Sequence, residues 1–583
     1  MDYEQRLIQL RKAMKEAGIR AYLILTGDPH HSEEPAPYYA AERRYFCPFT
    51  GDNAYVLITE EEALLWSDGR FAVSAPQELK GTSYRFIELY RPENLDPYTY
   101  LKKHHLYPLG TDFSILSPED LSELEKAGEV RDISFASLLP SRPALSNDPL
   151  WDFSNPQYQD LTVQEKIERV RQKMREAGAG AHLLTSLDDI AYLTNVRGND
   201  IADTPVFYAY LYIDLTGAFL FANPSRLSFS IPGVTVEPYD HIVSFLKERS
   251  AVPTLVDPKE CNAKLYRLLA NPIPGAAPSK LMKAIKGPKE VENIKMAQAE
   301  DGVALLKFIA YLEEHPIEGK NEWDLVQILH SFRAEGKHFL GESFTTIAAV
   351  GPNAAMMHYA PSEEKHTTID AQTLQLLLDS GGQYLAGTTD TTRTFLLGKP
   401  TEEFIHDYTL TMKSLIALSS SVFLEGSTGV TIDMMAREVM WKEHLDYKCG
   451  TGHGIGYLNV VHEGPNGFRY RLVKGKNEGC VFAPGMITSI EPGVYKANKY
   501  GIRLENNILC IPDISNDEGN FYRFETITYV PFETKALDLS LLTDQEIAWL
   551  NDYHKLVYEK LAPLVDGRLL KILKEKTKII TRQ

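Results

Sequence analysis

The segment RKAMKEAGIRAYL at residues 11–23 returns as RQKMREAGAGAHL at residues 171–183. In each copy charged and apolar residues alternate at helical spacing. The pattern stops at a glycine, Gly18 or Gly178, which tolerates the positive φ that ends a helix. An apolar strand follows each time, AYLILT or AHLLTS, and then a longer apolar segment resembling a hairpin, NAYVLITEEEALLWSDGRF or FYAYLYIDLTGAFLFANPSR. A chain that carries such a unit twice is expected to fold into two related α/β domains. Between the copies, LLPSRPALSNDPLWDFSNPQYQDLT clusters proline, serine and asparagine and reads as a linker in which Trp151 packs on something. A second such stretch, ANPIPGAAPSK, precedes a new helical pattern. The expected division is 1–150 for α/β domain I, 151–278 for α/β domain II, and 279–583 for a third and largest domain.

Composition narrows the class. Lys and Arg number 61 against 79 Asp and Glu, a formal charge of −18, which repels a phosphate backbone and argues against a nucleic-acid partner. The five cysteines (Cys47, Cys261, Cys449, Cys480 and Cys510) are scattered and odd in number, which suits neither a disulfide framework nor a zinc ribbon. The opening MDYEQRLIQLRKAMKEAG reads as an amphipathic helix rather than a signal peptide. No run approaches the roughly 20 apolar residues that span a bilayer. A cytoplasmic protein with no membrane partner is expected.

The residues able to carry chemistry lie in the third domain. In LQLLLDSGGQYLAGTTDTTRTF an apolar strand reaches Asp379, Gly381 and Gly382 allow a turn, and a threonine-rich strand returns through Asp390. Alternation puts Asp390, Thr392 and Thr394 on one face of that strand. CGTGHGIGYLNVVHEGP holds His453 between two glycines, with His462 further on. In MITSIEPGVYKANKYGIRLENNILC, Glu491 precedes Pro492, and a strand IRLENNIL would place Arg503, Glu505 and Asn507 on one face, with the arginine beside the glutamate. Taken singly, each segment also fits a structural part: an edge-strand aspartate, a core histidine, a surface ion pair. Together, Asp379, Asp390, His453, Glu491 and Glu505 offer four carboxylates and one imidazole. Hard oxygen donors with a single nitrogen and no sulfur suit Mn²⁺ or Mg²⁺ better than a structural zinc. Four negative charges held close together call for roughly two divalent cations.

With these motifs in view, the last domain is similar to the pita-bread metallopeptidases, a family that includes methionine aminopeptidase, prolidase and aminopeptidase P. The whole chain resembles the three-domain cytosolic aminopeptidases P (Xaa-Pro aminopeptidases). DPHHSEE, WSDGRF, LDDIAYLTNVRGND, VGPNAAMMHYAP, DSGGQYLAGTTDTTRT, GTGHGIGYLNVVHEGP, EPGVY and GIRLEN carry the likeness. It implies two creatinase-N-like α/β domains followed by a pita-bread α+β catalytic domain, with a C-terminal extension from about residue 530. LTDQEIAWLND and YHKLVYEKLAPLV resemble that extension, whose helices would pack on the catalytic domain.

The resemblance also implies a site. Asp379 would chelate one metal, Asp390 and Glu505 bridge both, and His453 and Glu491 complete the second, with two Mn²⁺ ions as the expected pair. Glu491 would shuttle a proton, His358 of MHYAP contact the reacting amide, and His462 stand near the substrate. Arg503 and Tyr495 would form a hydrogen-bonding network behind the metals. Phe344 would line a proline pocket, completed by Cys449 and His462, with His358 also among the substrate-binding residues. Cys449 departs from the histidine of the family's HGTGHG, which puts proline-side affinity in question. The implied activity is release of the N-terminal residue from Xaa-Pro-Yaa peptides by attack of a metal-bridging hydroxide. The implied partners are peptides with a free N-terminus and, in a homodimer, a second copy of the chain. The alternatives are a prolidase-type Xaa-Pro dipeptidase and a non-catalytic peptide-binding relative. The duplicated N-terminal domains favour the aminopeptidase over the first. The full donor set weighs against the second, and against metal-free creatine hydrolysis.

Overall fold

The computed structural model describes residues 2–51, 53–472 and 479–582. Its chain forms two compact units, Met1–Asn155 with Leu161–Lys280, and Pro156–Asp160 with Leu281–Gln583.

The first unit contains both copies of the repeat. Leu7, Leu10 and Met14 are buried along the helix Tyr3–Glu16, and Val163, Ile167, Val170 and Met174 along the helix Val163–Glu176. The Asp2 side chain caps the first by accepting from the Gln5 amide, while Thr162 and Glu165 form a reciprocal capping box on the second. Just beyond these helices Gly18 and Gly178 take φ of 65° and 69°.

Each helix leads into the pivotal strand of a six-stranded sheet. Ala21–Leu25 pairs antiparallel with Tyr55–Thr59 and parallel with Leu109–Thr111. Ala181–Leu184 does the same with Tyr210–Asp214 and Thr254–Val256. Both hairpins foreseen in the sequence form, Tyr55–Thr59 with Ala63–Ser67 and Tyr210–Asp214 with Ala218–Phe221. Strand for strand the two sheets have the same order. The duplication is therefore one of topology as well as of text. The linker contributes the short strand Trp151–Asp152, paired with Val196–Arg197, and the Trp151 ring packs edge-on against Phe153.

In the second unit the Asp160 carboxylate accepts the Lys289 and Glu290 amides at the start of the helix Pro288–Glu314. Among the described residues four antiparallel sheets follow, two of which carry most of the candidate site. Gln375–Ser380 lies between Ile347–Val350 and Thr391–Leu396, and a six-stranded sheet includes Gly452–Gly454, Ile487–Ile490 and Asn506–Asn516. The helices Glu402–Ser419, Gly429–Lys442, Asp544–Leu561 and Gly567–Lys576 bury Tyr408, Met412, Ile432, Leu550, Tyr553, Val557 and Leu573 in one core with Ile508 and Phe524. The C-terminal helices thus share the core of this unit. Among the described residues no helix is long and apolar enough to cross a membrane.

Two local expectations change. IRLENNIL is not one strand: Tyr500–Arg503 pairs with Gly493–Lys496, and the six-stranded sheet resumes at Asn506, so Leu504 and Glu505 form a junction. Asp390 stands just ahead of the strand Thr391–Leu396 rather than within it, because two short strands, Gly382–Tyr384 and Gly387–Thr388, fold back first.

One glycine of GTGHG is set by contact. A Cβ on Gly452 would lie 1.8 Å from the Ser489 carbonyl oxygen, backbone that cannot swing away. Gly452→Ala is expected to destabilise the metal-free chain by about 1–3 kcal/mol, the cost of overpacking. A thermal midpoint equal to wild type would show that the two strands part without cost.

Candidate metal centre

The antiparallel register builds the centre. Asp379 stands opposite Thr392 across Gln375–Ser380 and Thr391–Leu396, so their side chains share a face. Arg503 comes to this face from the end of Tyr500–Arg503, where the Thr394 hydroxyl donates to its carbonyl at 2.9 Å. Its Nη2 donates to Asp379 Oδ2 and its Nη1 to the Tyr495 hydroxyl at 2.8 Å. Arg503 therefore orients Asp379, not the neighbouring Glu505. Glu505 Oε2 instead accepts the Thr392 hydroxyl at 2.8 Å, and its amide donates to the Thr392 carbonyl at 3.1 Å.

The imidazole enters on the strand Gly452–Gly454. His453 Nδ1 bonds the Gly454 carbonyl at 3.0 Å, which assigns the proton to Nδ1 and leaves Nε2 facing the carboxylates. Nε2 lies 3.4 Å from Asp390 Oδ2 and 3.4 Å from Glu491 Oε1. Glu491 is held through its amide, which donates to the Thr451 carbonyl at 2.7 Å.

The donor set fits a cation. Ligand atoms of Asp390, His453 and Glu505 all lie within 4.8 Å of one another. Asp379 Oδ1 and Glu505 Oε1 are buried yet lack any hydrogen-bond partner. A buried carboxylate oxygen left unpaired costs free energy that a coordinated ion recovers. Asp379 and Glu491 lie outside this three-residue cluster, and the ion pair with Arg503 takes just one oxygen of Asp379.

The substrate-side residues are more dispersed. His462 is exposed, and its ring lies 4.2 Å from that of His453 in an edge-on contact. His358 is exposed in the turn after Gly351–Ala355, and the carbonyl of its neighbour Met357 lies 3.5 Å from Arg503 Nη1. Phe344 is half-buried beside Ser343, whose hydroxyl donates to the Thr389 carbonyl at 2.8 Å. Cys449 is half-buried against Tyr447 and Val494, next to Tyr495. Burial and the charge of Glu491 push its thiol up to about 12, so it stays protonated and poorly nucleophilic. Sequence reading placed Thr392 on the correct face but gave it no part. It missed Thr451 altogether, since a single threonine between two glycines carries no recognisable signal.

Without a metal, protons take the place of the countercharge. Burial and neighbouring carboxylates raise Asp390 and Glu505. Burial opposes the charge on His453, but its bond to Asp390 and the charge of Glu491 outweigh that and raise it to about 9. A group raised by folding stabilises the fold below its unfolded pKa, and that contribution is lost as pH rises through the folded value. The thermal midpoint of chelator-stripped protein should therefore fall between pH 5 and pH 9, and fall less in Glu505→Gln. Mn²⁺ should raise it more at pH 9 than at pH 5. A stripped-protein midpoint that climbs with pH in wild type as in the variant would contradict this account.

With the site described, comparison with known proteins is informative. Residues 292–512 match metallopeptidase family M24, and residues 520–580 its C-terminal region. Residues 6–140 and 141–290 each match a Creatinase/Prolidase N-terminal domain. A probable Xaa-Pro aminopeptidase P of Coprinopsis cinerea is 32% identical over 99% of this chain and 98% of its own. Xaa-Pro aminopeptidase 1 of Dictyostelium discoideum is 32% identical over 96% of this chain and 94% of its own. The crystal structure of an X-prolyl aminopeptidase from Caenorhabditis elegans, described as a cytosolic enzyme with a di-nuclear active site, superposes with a TM-score of 0.93. It is 30% identical and covers 100% of both chains. Two creatinase-type α/β domains followed by an M24 catalytic domain, matched end to end, make this chain a member of metallopeptidase family M24 within the Xaa-Pro aminopeptidase P group.

Proposed function

We propose that this chain is a dinuclear metal-dependent aminopeptidase that removes the N-terminal residue from peptides with proline in second position. The observation that carries the reading is the convergence of Asp390, His453 and Glu505 beside two buried, unpartnered carboxylate oxygens, on a chain matched over its full length by Xaa-Pro aminopeptidases. Asp379, Asp390, His453, Glu491 and Glu505 would hold the ions, and the excess of oxygen donors favours Mn²⁺. Bound there, a divalent pair supplies Lewis acidity and lowers the pKa of water.

The chain's own groups divide the remaining work. Glu491, beside His453 and anchored by Thr451, carries a proton from the nucleophile toward the departing nitrogen. That nitrogen belongs to proline, a tertiary amide without an N–H, and it must gain this proton to leave. His358, in its exposed turn, donates to the oxyanion developing on the scissile carbonyl. His462, Phe344 and Cys449 contact the proline ring. Arg503 and Tyr495 keep Asp379 in position and touch no substrate. The same reading includes the division at 150/151 and 278/279, an extension from about 530, a cytosolic location and a homodimer. The two separate six-stranded sheets and the cytosolic relative support the first and third of these.

Glu491→Gln should lower kcat on a Xaa-Pro-Yaa tripeptide by about 10²–10⁴-fold, the usual weight of a positioned acid–base group. Metal content is measured on the same samples, because Glu491 is also a donor. Near-wild-type turnover with both ions retained would remove Glu491 from the proton path. Wild type should cleave Xaa-Pro-Yaa in preference to the dipeptide Xaa-Pro, and the reverse preference would favour a dipeptidase.

A further inference from the structure

Asp379 and Asp390 are joined by a chain reversal whose two ends are tied to one buried ion pair. Asp301, on the helix Pro288–Glu314, and Arg333, on the helix Glu322–Ala334, pair at 2.8 Å with side chains 2% and 0% exposed. Arg333 Nη2 donates to the Ser380 hydroxyl at 3.0 Å, on the residue that follows Asp379. Asp301 Oδ2 accepts from the Thr389 hydroxyl at 2.9 Å, on the residue that precedes Asp390. Asp301 Oδ1 accepts from the Tyr384 hydroxyl at 2.9 Å, in the middle of the reversal. The Thr389 hydroxyl also accepts the Gly382 amide at 2.9 Å, closing the reversal on itself. Arg333 Nη1 reaches Glu342 at 2.8 Å.

Stability does not account for this arrangement, since well-packed apolar residues of similar volume commonly do as well as a buried ion pair. Its endpoints do. Two of the three hydroxyls it engages, those of Ser380 and Thr389, sit one residue from a metal-donor aspartate, and a carboxylate can point only where its backbone allows. Loss of a group that orients a ligand typically weakens metal binding about 10–100-fold. We propose that Asp301 and Arg333 are positioning residues of the metal centre, fixing the separation of Asp379 and Asp390 through Thr389 and Ser380 and so setting affinity for the ion those aspartates share. This rests on the metal-centre reading above.

The test is a competitive titration of full-length protein with Mn²⁺ against a fluorescent chelator, paired with thermal midpoints of the stripped protein. Thr389→Val keeps the shape and removes the donor, and it should weaken Mn²⁺ binding about 10–100-fold. Thr389→Ser should retain wild-type affinity. Ser380→Ala, at the other end of the reversal, should weaken binding in the same direction and stands in if Thr389→Val does not fold. A general loss of stability would instead lower the stripped midpoint without separating serine from valine. The proposal is overturned if Thr389→Val and Ser380→Ala both bind Mn²⁺ within twofold of wild type, or if Thr389→Ser loses as much affinity as Thr389→Val. A wild-type chain that takes up no Mn²⁺, Co²⁺ or Zn²⁺ would overturn the metal centre itself, and this proposal with it.

Discussion

Four carboxylates gathered in a largely buried volume repel one another, and burial together with that repulsion makes Asp390 and Glu505 harder to ionise. The fold answers this only in part. Arg503 binds Asp379 Oδ2, and the Thr392 hydroxyl satisfies Glu505 Oε2. In both residues the second oxygen is buried and unpaired. One oxygen of each carboxylate is thus used to fix its direction while the other is turned inward. That is a poor arrangement for a structural core and a suitable one for a chelator, because the orientation is settled before an ion arrives. His453 follows the same logic: one ring nitrogen is committed to a backbone carbonyl, and the other faces the carboxylates.

Such an arrangement needs backbone that brings distant residues together without slack. Antiparallel strands provide it, since register fixes which side chains face each other. Asp379 meets Thr392 directly, Thr392 meets Glu505 through both hydroxyl and carbonyl, and Thr394 meets Arg503. Gly452 lets the histidine strand lie against Ile487–Ile490, at whose end Glu491 begins. Asp390, Glu491 and Glu505 come from strand ends and junctions, while Asp379 and His453 are held within paired strands.

Much of this was legible in the sequence, and the reasons differ by element. The repeated helix-Gly-strand text gave two α/β units because helical burial and a positive-φ glycine are local properties, and both recur in the structure. Asp379, Asp390, His453, Glu491 and Glu505 stood out because acidic residues in apolar or glycine-rich surroundings are costly unless something pairs with them. The partner of Arg503 was not legible. Adjacency on a presumed strand pointed to Glu505, whereas the chain breaks at Leu504 and the guanidinium reaches Asp379, far away in sequence. Asp301 and Arg333 were missed for a similar reason. Each is a charged residue within an otherwise ordinary helix, and only packing reveals that they meet. A sign was present, since Asp301 lies in phase with Ala297, Ala304 and Leu305 on the buried face of its helix.

A second buried cation shows why the C-terminal extension belongs to the catalytic unit. Arg393 lies on the same strand as Thr392 and Thr394, and its partners are neutral oxygens. It donates to the carbonyls of Thr392, Glu505 and Val530, to the side-chain oxygen of Asn506 and to the Tyr553 hydroxyl. Its guanidinium also lies over the Phe532 ring at 3.9 Å. Burial works against this charge, so every acceptor lost would leave a donor of a dry cation unmet. Val530, Phe532 and Tyr553 all come from the C-terminal stretch, and Tyr553 from the helix Asp544–Leu561. Detaching that helix would therefore act first at Arg393 and then at the backbone of Glu505, which Arg393 holds from behind. The guanidinium also interacts electrostatically with Glu505, one carboxylate of the cluster. Arg393 draws the extension and the candidate centre into one electrostatic structure.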